Sequence, residues 1–381
     1  MIKQRRQMKD FKSGKYINQG TYKSFQPEFI NHDWIVADME LINLLGQADR
    51  HLGRLDMYSE YIPNIDLFIS MHIAKEATTS SKIEGTKTNI EDAILDKDDI
   101  SDEKRNDWEE VQNYITALNS AIDRLNKLPF SSRLIKETHK ILLTGVRGKH
   151  KQPGDYRASQ NWIGGASISD AIFIPPIYDS VNEYMSDIEK FVHNKEIFLP
   201  DLLKIALIHY QFETVHPFLD GNGRVGRLMI TLYLVEKGIL KKPILYLSDF
   251  FERNRTLYYD NLMRVREKND ITQWFKFFLV GVIETAKNSI KTFDGILKLQ
   301  KDIETKIQTL GSRANKAQLI INYLFQKPII NALHAKQLTG VSLPWTYKMI
   351  SELEELNIIE EITGGKRGRL FIFREYLNLF K

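Results

Sequence analysis

Apolar residues recur at three- and four-residue steps through most of this chain, and a spacing that matches 3.6 residues per turn commits it to a mainly α-helical fold. Trp108, Val111, Ile115, Leu118, Ile122 and Leu125 form one continuous stripe, which Pro129 stops. A second helix opens at Ser131, a residue suited to N-capping, and runs through Leu134, Ile135, Thr138, Ile141 and Leu142 to Gly145. Leu202, Ile205, Ala206, His209 and Phe212 share a further face that breaks at His216-Pro217; helix resumes near Asn222 and lasts to Gly238. Asp270-Ile271-Thr272-Gln273 has the form of a capping box and opens a long stripe through Phe275, Phe278, Val282, Ala286, Ile290 and Phe293, expected to bridge two domains.

Between these helices the pattern changes once. From Arg147 to Pro176 glycines and prolines multiply, and two short extended runs, Asn161 to Ile163 and Ala171 to Ile174, flank a small-residue turn, which predicts a β-hairpin. At the other end the last seventy residues read as helix, turn, helix and a pair of strands, Ile358 to Ile362 with Leu370 to Phe373, the order of a winged helix-turn-helix. With 381 residues, two or three packed units are expected. The divisions are a basic arm at 1–30, an N-terminal helical region at 31–125, a helical core with the hairpin at 126–295, and a linker helix with the winged unit at 296–381.

The 43% hydrophobic and 27% charged fractions suit a globular chain, and no apolar window is long enough to cross a bilayer, so no membrane partner is expected. Lys3, Arg5, Arg6, Lys9 and Lys12 make the start basic, but the apolar stretch of a secretory signal is missing. The absence of cysteine excludes disulfides, thiolate nucleophiles and cysteine-bound zinc, and a cytoplasmic location is expected. The net charge of +4 is uneven: residues 1–30 carry seven Lys/Arg against two Asp/Glu, residues 311–381 ten against six, and the middle is left at −5. Either end permits a nucleic-acid contact, although a solvated basic surface is the commoner reading of so small an excess.

The break at 216–227 concentrates chemistry. His216-Pro217-Phe218-Leu219-Asp220-Gly221-Asn222-Gly223-Arg224-Val225-Gly226-Arg227 sets a base, a carboxylate, three glycines and two arginines between apolar helices. Gly221 and Gly223 permit positive φ and close approach, so the N–H groups around Asn222 can form an anion-binding nest at a helix N-terminus. Arg224 and Arg227, three apart in the first turn, can present guanidinium forks to phosphate oxygens. Two cations there oppose the helix dipole by roughly 0.3–1 kcal/mol each, which an anionic ligand would offset. Asp220 suits magnesium, which takes few protein ligands and shares substrate phosphates. His216, with an ordinary pKa of about 6.5, can accept a proton from an incoming hydroxyl. A histidine before proline, a Gly-Asn-Gly turn and solvated arginines each have an ordinary structural explanation; packing alone does not bring them together in this order.

The run from His216 to Arg227 resembles the signature of Fic proteins at every fixed position. The resemblance implies a Fic helical core with a small β-hairpin flap, an ATP substrate and a magnesium cofactor. His216 would deprotonate a Tyr, Thr or Ser hydroxyl of a target protein, or of the chain itself, and Asp220 would hold the metal. Gly221, Asn222 and Gly223 would bind the α- and β-phosphates, and Arg224 and Arg227 the β- and γ-phosphates. No covalent enzyme intermediate is needed, since the hydroxyl attacks the α-phosphate in line and pyrophosphate leaves. Pro153-Gly154-Asp155-Tyr156-Arg157 is similar to the family's approach to its flap, in which Trp162, Ile163, Gly164, Ile172, Phe173 and Ile174 would hold the target backbone as an added strand. Phe250-Phe251, Tyr258, Tyr259 and Leu262 resemble the segment that encloses adenine, although core packing serves them as well.

Ser80-Ser81-Lys82-Ile83-Glu84-Gly85 resembles the family's inhibitory motif, placed before the core as in the class whose inhibitory helix is N-terminal. Ile73, Ala77, Ser80 and Glu84 share a helical face and Gly85 terminates it. Paired with Arg227, Glu84 would take the γ-phosphate's partner and act as a brake. The C-terminal unit resembles the winged helix-turn-helix that follows some bacterial Fic cores. A DNA role would set the helix from Ser342 to Leu356 in the major groove and Lys366, Arg367 and Arg369 near phosphate. Glu352, Glu354 and Glu355 on that helix speak equally for docking or homodimerisation. Protein AMPylation thus stands beside a DNA-binding regulator and a Fic enzyme that removes AMP.

Overall fold

The computed structural model describes residues 6–62, 64–145, 147–365 and 368–381. Of the basic positions discussed above, Lys3, Arg5, Lys366 and Arg367 lie outside the described residues. Four short strands come first: β1 (Arg6–Gln7), β2 (Gly14–Asn18), β3 (Lys23–Pro27) and β4 (Trp34–Ile35), with β1 parallel to β4 and β2 antiparallel to β3. Sequence patterning gave this arm no strands, because tertiary contacts rather than alternation hold the hairpin. Phe25 is fully buried against Phe173, its N–H donates to Ile174 O at 2.8 Å, and Ser13 N donates to Asn269 Oδ1 at 2.7 Å.

Helices dominate the rest. They begin with α1 (Met39–Tyr61), capped by Asp38, then α2 (Asp66–Ile83), the single turn α3 (Ile90–Ala93) and α4 (Asp102–Leu125). Next are α5 (Ser132–Leu142), whose Ser131 cap accepts from Leu134 N, α6 (Val181–His193), α7 (Asp201–Val215) and α8 (Asn222–Glu236). The series continues through α9 (Ser248–Arg253), α10 (Arg255–Lys268) and the 38-residue α11 (Ile271–Gln308), capped by Asp270. At 1.5 Å per residue α11 is roughly 57 Å long. It passes the expected boundary at 295/296 without a break, lies along α1, and is tied to α7 by Trp274 Nε1 donating to Ala206 O at 2.8 Å. Both α7 and α8 are buried on nearly every face, as central helices of a single apolar core must be.

The predicted flap hairpin shrinks to one antiparallel bridge, Ile163 with Phe173, around a short 3-10 turn at Ile168–Asp170. The ladder cannot extend because Pro175 and Pro176 carry no N–H and Gln160 Nε2 already claims Asn161 O at 3.0 Å. After α11 come α12 (Ala314–Gln326), β5 (Ile329–Asn331), α13 (Ala332–Thr339), α14 (Leu343–Glu355), β6 (Glu360–Glu361), β7 (Leu370–Ile372) and α15 (Arg374–Asn378), with the strands ordered β5-β7-β6. Two of the acids on α14 are tied internally, Glu352 to Arg313 at 3.0 Å and Glu354 to Arg369 at 3.7 Å. This unit packs on α2 through Phe325 against Phe68 and Phe380 against His72, and Ser70 Oγ donates to Gln326 O at 2.8 Å. No helix among the described residues is long and apolar enough to cross a membrane.

Candidate active site

The loop between α7 and α8 is built around two left-handed residues. His216 ends α7 at φ 49°, ψ 61°, and Gly221 precedes α8 at φ 77°. Glycine adopts this region freely, whereas a histidine there costs about 1–2 kcal/mol and persists only where its surroundings enforce it. Phe218 is the anchor, fully buried and stacked on His139 with centroids 3.7 Å apart. The first backbone bond of α8 is Val225 N to Gly221 O, so the N–H groups of Asn222, Gly223 and Arg224 stand at the helix N-terminus with no intrahelical acceptor.

The Asn222 side chain departs from expectation. Its Oδ1 accepts from Phe218 N and its Nδ2 donates to Phe218 O, both at 2.8 Å, so the amide braces the loop and only the main-chain N–H is left for an anion. Asp220 keeps a carboxylate with 43% of its side chain exposed; its Oδ1 accepts from Gly221 N at 2.6 Å. Among the described residues no three His, Cys, Asp or Glu gather that could hold a metal by themselves. One open carboxylate beside unclaimed N–H groups fits magnesium shared with phosphates.

Both arginines are buried, and each meets a carboxylate from another helix. Arg224 Nη1 lies 3.4 Å from Glu110 Oε2 and Nη2 3.7 Å from Asp220 Oδ1, while its buried Nε has no partner. Arg227 Nε donates to Ser80 Oγ at 2.9 Å, and its Nη2 donates to Ser80 O at 2.9 Å and to Glu84 Oε1 at 2.7 Å. Glu84 caps α2, and Gly85 follows at φ 100°. A Cβ at Gly223 would collide with Glu84 Oε1, so the carboxylate lies directly over the glycine of the cradle. Burial alone would raise the Glu84 pKa; the Arg227 charge and hydrogen bond outweigh it and hold the carboxyl below its usual range. The same pair raises Arg227 against the opposing effect of burial. About a third of the Glu84 side chain (35%) stays open, so solvent screens part of the attraction.

His216 is partly enclosed, its Nδ1 buried. Burial, then the Arg266 and Arg157 charges, push its pKa down to about 3 against the opposing pull of Glu84, so the ring is neutral at physiological pH. The carbonyl of His216 accepts from Arg157 Nε at 3.0 Å and from Asn161 Nδ2 at 3.1 Å. His139 holds the backbone of Asp220. Gly154 N donates to His139 Nδ1 at 2.9 Å, which leaves Nε2 as the donor to Asp220 O at 3.0 Å. Burial first, and Arg224 nearby, lower the His139 pKa to about 4, in keeping with that neutral tautomer.

The expected adenine contacts divide. Tyr258 and Leu262 are buried, and the Tyr258 hydroxyl donates to His209 Nε2 at 2.8 Å while His209 Nδ1 donates to Gly226 O at 2.9 Å. Tyr258 thereby braces α8 from within the core, and of the three only Tyr259, 39% exposed, offers an open ring. In the flap Trp162 (40%) and Ile172 (69%) are exposed, whereas Phe173 and Ile174 are buried. Sequence reasoning passed over Glu110, His139, Asn161 as a brace, and Glu213. His139 and Glu213 each carry the one signal available, a titratable side chain at a position the helical period assigns to core.

Two family models match the segments that build this site. The Fic/DOC family N-terminal model matches residues 42–123, and the Fic/DOC family model matches residues 129–234, which include the whole loop. The chain belongs to the Fic/DOC family. Among curated relatives, the protein adenylyltransferase Fic of Aedes aegypti is 27% identical over 175 residues, 43% of this chain and 31% of that protein. A probable protein adenylyltransferase of Aquifex aeolicus is 30% identical over 156 residues, 39% of this chain and 44% of that protein. The match thus spans less than half the length of either relative. A solved Fic family protein from Desulfovibrio desulfuricans aligns with a TM-score of 0.56 at 18% identity, covering 89% of this chain and 97% of that one. A Fic domain containing signaling protein from Bacteroides thetaiotaomicron gives 0.52 at 18%, covering 66% and 96%. At such identity these two show the Fic fold alone.

Proposed function

We propose that this Fic protein is a protein adenylyltransferase, moving AMP from ATP to a Tyr, Thr or Ser hydroxyl of a target protein or of itself, and that Glu84 restrains it. The reading rests above all on one arrangement: a neutral imidazole held immediately before a helix N-terminus whose first N–H groups are unclaimed. The names of the curated relatives point the same way.

In this reading the N–H groups of Asn222, Gly223 and Arg224, with the Arg224 and Arg227 guanidiniums, take the phosphate oxygens. His216 accepts the proton of the incoming hydroxyl as its oxygen bonds to the α-phosphorus; the bond from that phosphorus to the β-phosphate bridging oxygen breaks, and pyrophosphate leaves. Magnesium on Asp220 would neutralise charge on the phosphate oxygens. Tyr259 is the ring left to stack on adenine. The flap, through Trp162 and Ile172, would align the target segment.

Glu84 opposes this in two ways: it holds Arg227, and it lies over Gly223 where a phosphate oxygen would come. A charged hydrogen bond of roughly 1.5–3 kcal/mol net corresponds to about a ten- to hundredfold restraint. The test is labelling with α-labelled ATP and magnesium. Glu84→Gly should label itself or a lysate protein at least tenfold more than wild type, and adding His216→Ala should abolish the signal. A Glu84→Gly protein that binds ATP and transfers nothing would remove the adenylyltransferase reading; equal labelling with and without Glu84 would remove only the restraint.

A further inference from the structure

We propose that Arg157, assisted by Asn161, is the positioning residue that aims His216 and fastens the base to the flap; this rests on the proposed transfer reaction. The flap reaches His216 through these two side chains. Arg157 Nε and Asn161 Nδ2 both donate to His216 O, at 3.0 and 3.1 Å, and Asn161 Nδ2 also donates to Phe218 O at 2.9 Å. Arg157 N donates to Pro217 O at 2.9 Å. The backbone on both sides of the left-handed histidine is therefore gripped, and that grip sets where the ring stands above the Glu213 carbonyl.

The rest of the guanidinium faces the flap and the end of α7. Nη2 donates to Pro176 O at 2.5 Å and to Val215 O at 3.3 Å, and Nη1 to Ser159 O at 3.4 Å. Ser159 and Pro176 flank the flap on either side, and Val215 is the last residue of α7, so one planar group joins the target platform to the helix that carries the base. Arg157 is 2% exposed, and among the described residues no carboxylate pairs with it. A buried cation satisfied only by backbone carbonyls is an expensive way to fill space, and its cost is intelligible if the fork geometry itself is what the site requires. Lysine has the charge without the fork.

Arg157 also acts by charge. The groups facing His216 are Arg157, Arg266 from α10 and Glu84 from α2, with the Glu213 carbonyl beneath; the two arginines favour the neutral ring and the last two oppose them. Position and charge are therefore separable by substitution: Arg157→Lys removes the fork and keeps the charge, whereas Arg157→Gln removes both.

The test uses full-length protein carrying Glu84→Gly. With Arg157→Lys, kcat for AMP transfer should fall at least tenfold while KM for ATP stays within twofold, because no contact of Arg157 reaches the phosphate cradle; Asn161→Ala should do the same more weakly. The acidic limb of the pH–rate profile should move upward in Arg157→Gln and stay in place in Arg157→Lys. Imidazole 15N spectra of substrate-free protein give the same answer without catalysis. The His216 signals should shift or broaden in both variants, with the titration midpoint raised only in Arg157→Gln. Unchanged His216 signals in Arg157→Lys would overturn the assignment, as would a loss of kcat matched by an equal rise in KM for ATP and a falling melting temperature, the pattern of a merely structural arginine. If Glu84→Gly transfers no AMP, the reaction is wrong, and the spectra alone decide whether Arg157 positions His216.

Discussion

Arg227 and Ser80 are joined twice, Nε to Oγ and Nη2 to the main-chain oxygen, both at 2.9 Å, so the end of α2 holds the second arginine of the loop even without the Glu84 carboxylate. Glu84 adds a third point at 2.7 Å. The restraint on Arg227 is therefore graded across one helical turn, and its parts can be removed singly.

Ser80→Ala deletes the hydroxyl and leaves the carbonyl and Glu84 in place. A single hydrogen bond to a charged group, roughly 1.5–3 kcal/mol before the surviving contacts compensate, predicts a rise in self-labelling of about three- to tenfold, below that of Glu84→Gly. Labelling rates of the three proteins at saturating ATP give the order directly; a Ser80→Ala protein more active than Glu84→Gly would contradict it.

Glu213 predicts a pH effect on stability. It is buried on α7 beside the loop with Oε1 unpartnered, and burial raises its pKa to about 7 despite Arg227 nearby. An acid raised above its unfolded value favours the folded state at low pH, and that contribution is lost as pH rises through the folded value. Glutamine, always neutral, escapes the loss. Glu213→Gln should therefore gain over wild type by roughly 2 kcal/mol more at pH 8.5 than at pH 5.5, read from denaturant unfolding at the two pH values. A gain independent of pH would mean the carboxyl is already ionised in the folded protein.

These two residues mark how far the sequence carries. Ser80 and Glu84 were legible because α2 is one unbroken helix, where spacing fixes which side chains share a face, and Gly85 ends it. Glu213 and His139 were not, since local pattern assigns them to core and only the fold reveals what they face. The flap was legible in place and not in extent, as its ladder depends on acceptors that Gln160 and Arg157 claim from outside the strands. The N-terminal hairpin left no trace, because a buried Phe25 meeting Phe173 is a fact of tertiary structure. Asn222 shows the opposite case, a residue that the motif singles out and whose side chain is spent on Phe218.

Tyr258 and Tyr259 are adjacent and should behave oppositely. Tyr258→Phe removes the hydroxyl that donates to His209 Nε2 and leaves a buried nitrogen unsatisfied, a loss of about 1–3 kcal/mol in stability with ATP affinity unchanged. Tyr259→Ala removes a half-open ring and should leave stability nearly intact while weakening ATP binding by about five- to a hundredfold, the range of one base–aromatic stack. Calorimetric titration with ATP in the Glu84→Gly background separates them, and an unaltered affinity in Tyr259→Ala would place adenine elsewhere.

Gly223 sits in the first turn of α8, where alanine is the better helix former by about 1 kcal/mol, so nothing in the backbone asks for glycine. What asks for it is space: the added methyl would strike Glu84 Oε1 and come within 2.9 Å of Arg227 Nη1. Both are the far ends of flexible side chains, which can swing aside, so Gly223→Ala should fold with an unchanged or slightly higher melting temperature. It should also dislodge Glu84, and if crowding by Glu84 were all that limited turnover the variant would be active. A cradle for phosphate predicts the reverse, because the same methyl then stands where an oxygen must approach the N–H groups. Gly223→Ala should therefore bind ATP at least tenfold more weakly than Glu84→Gly and label nothing, alone or combined with Glu84→Gly. Full labelling by the double variant would show that the phosphates bind somewhere other than over this glycine.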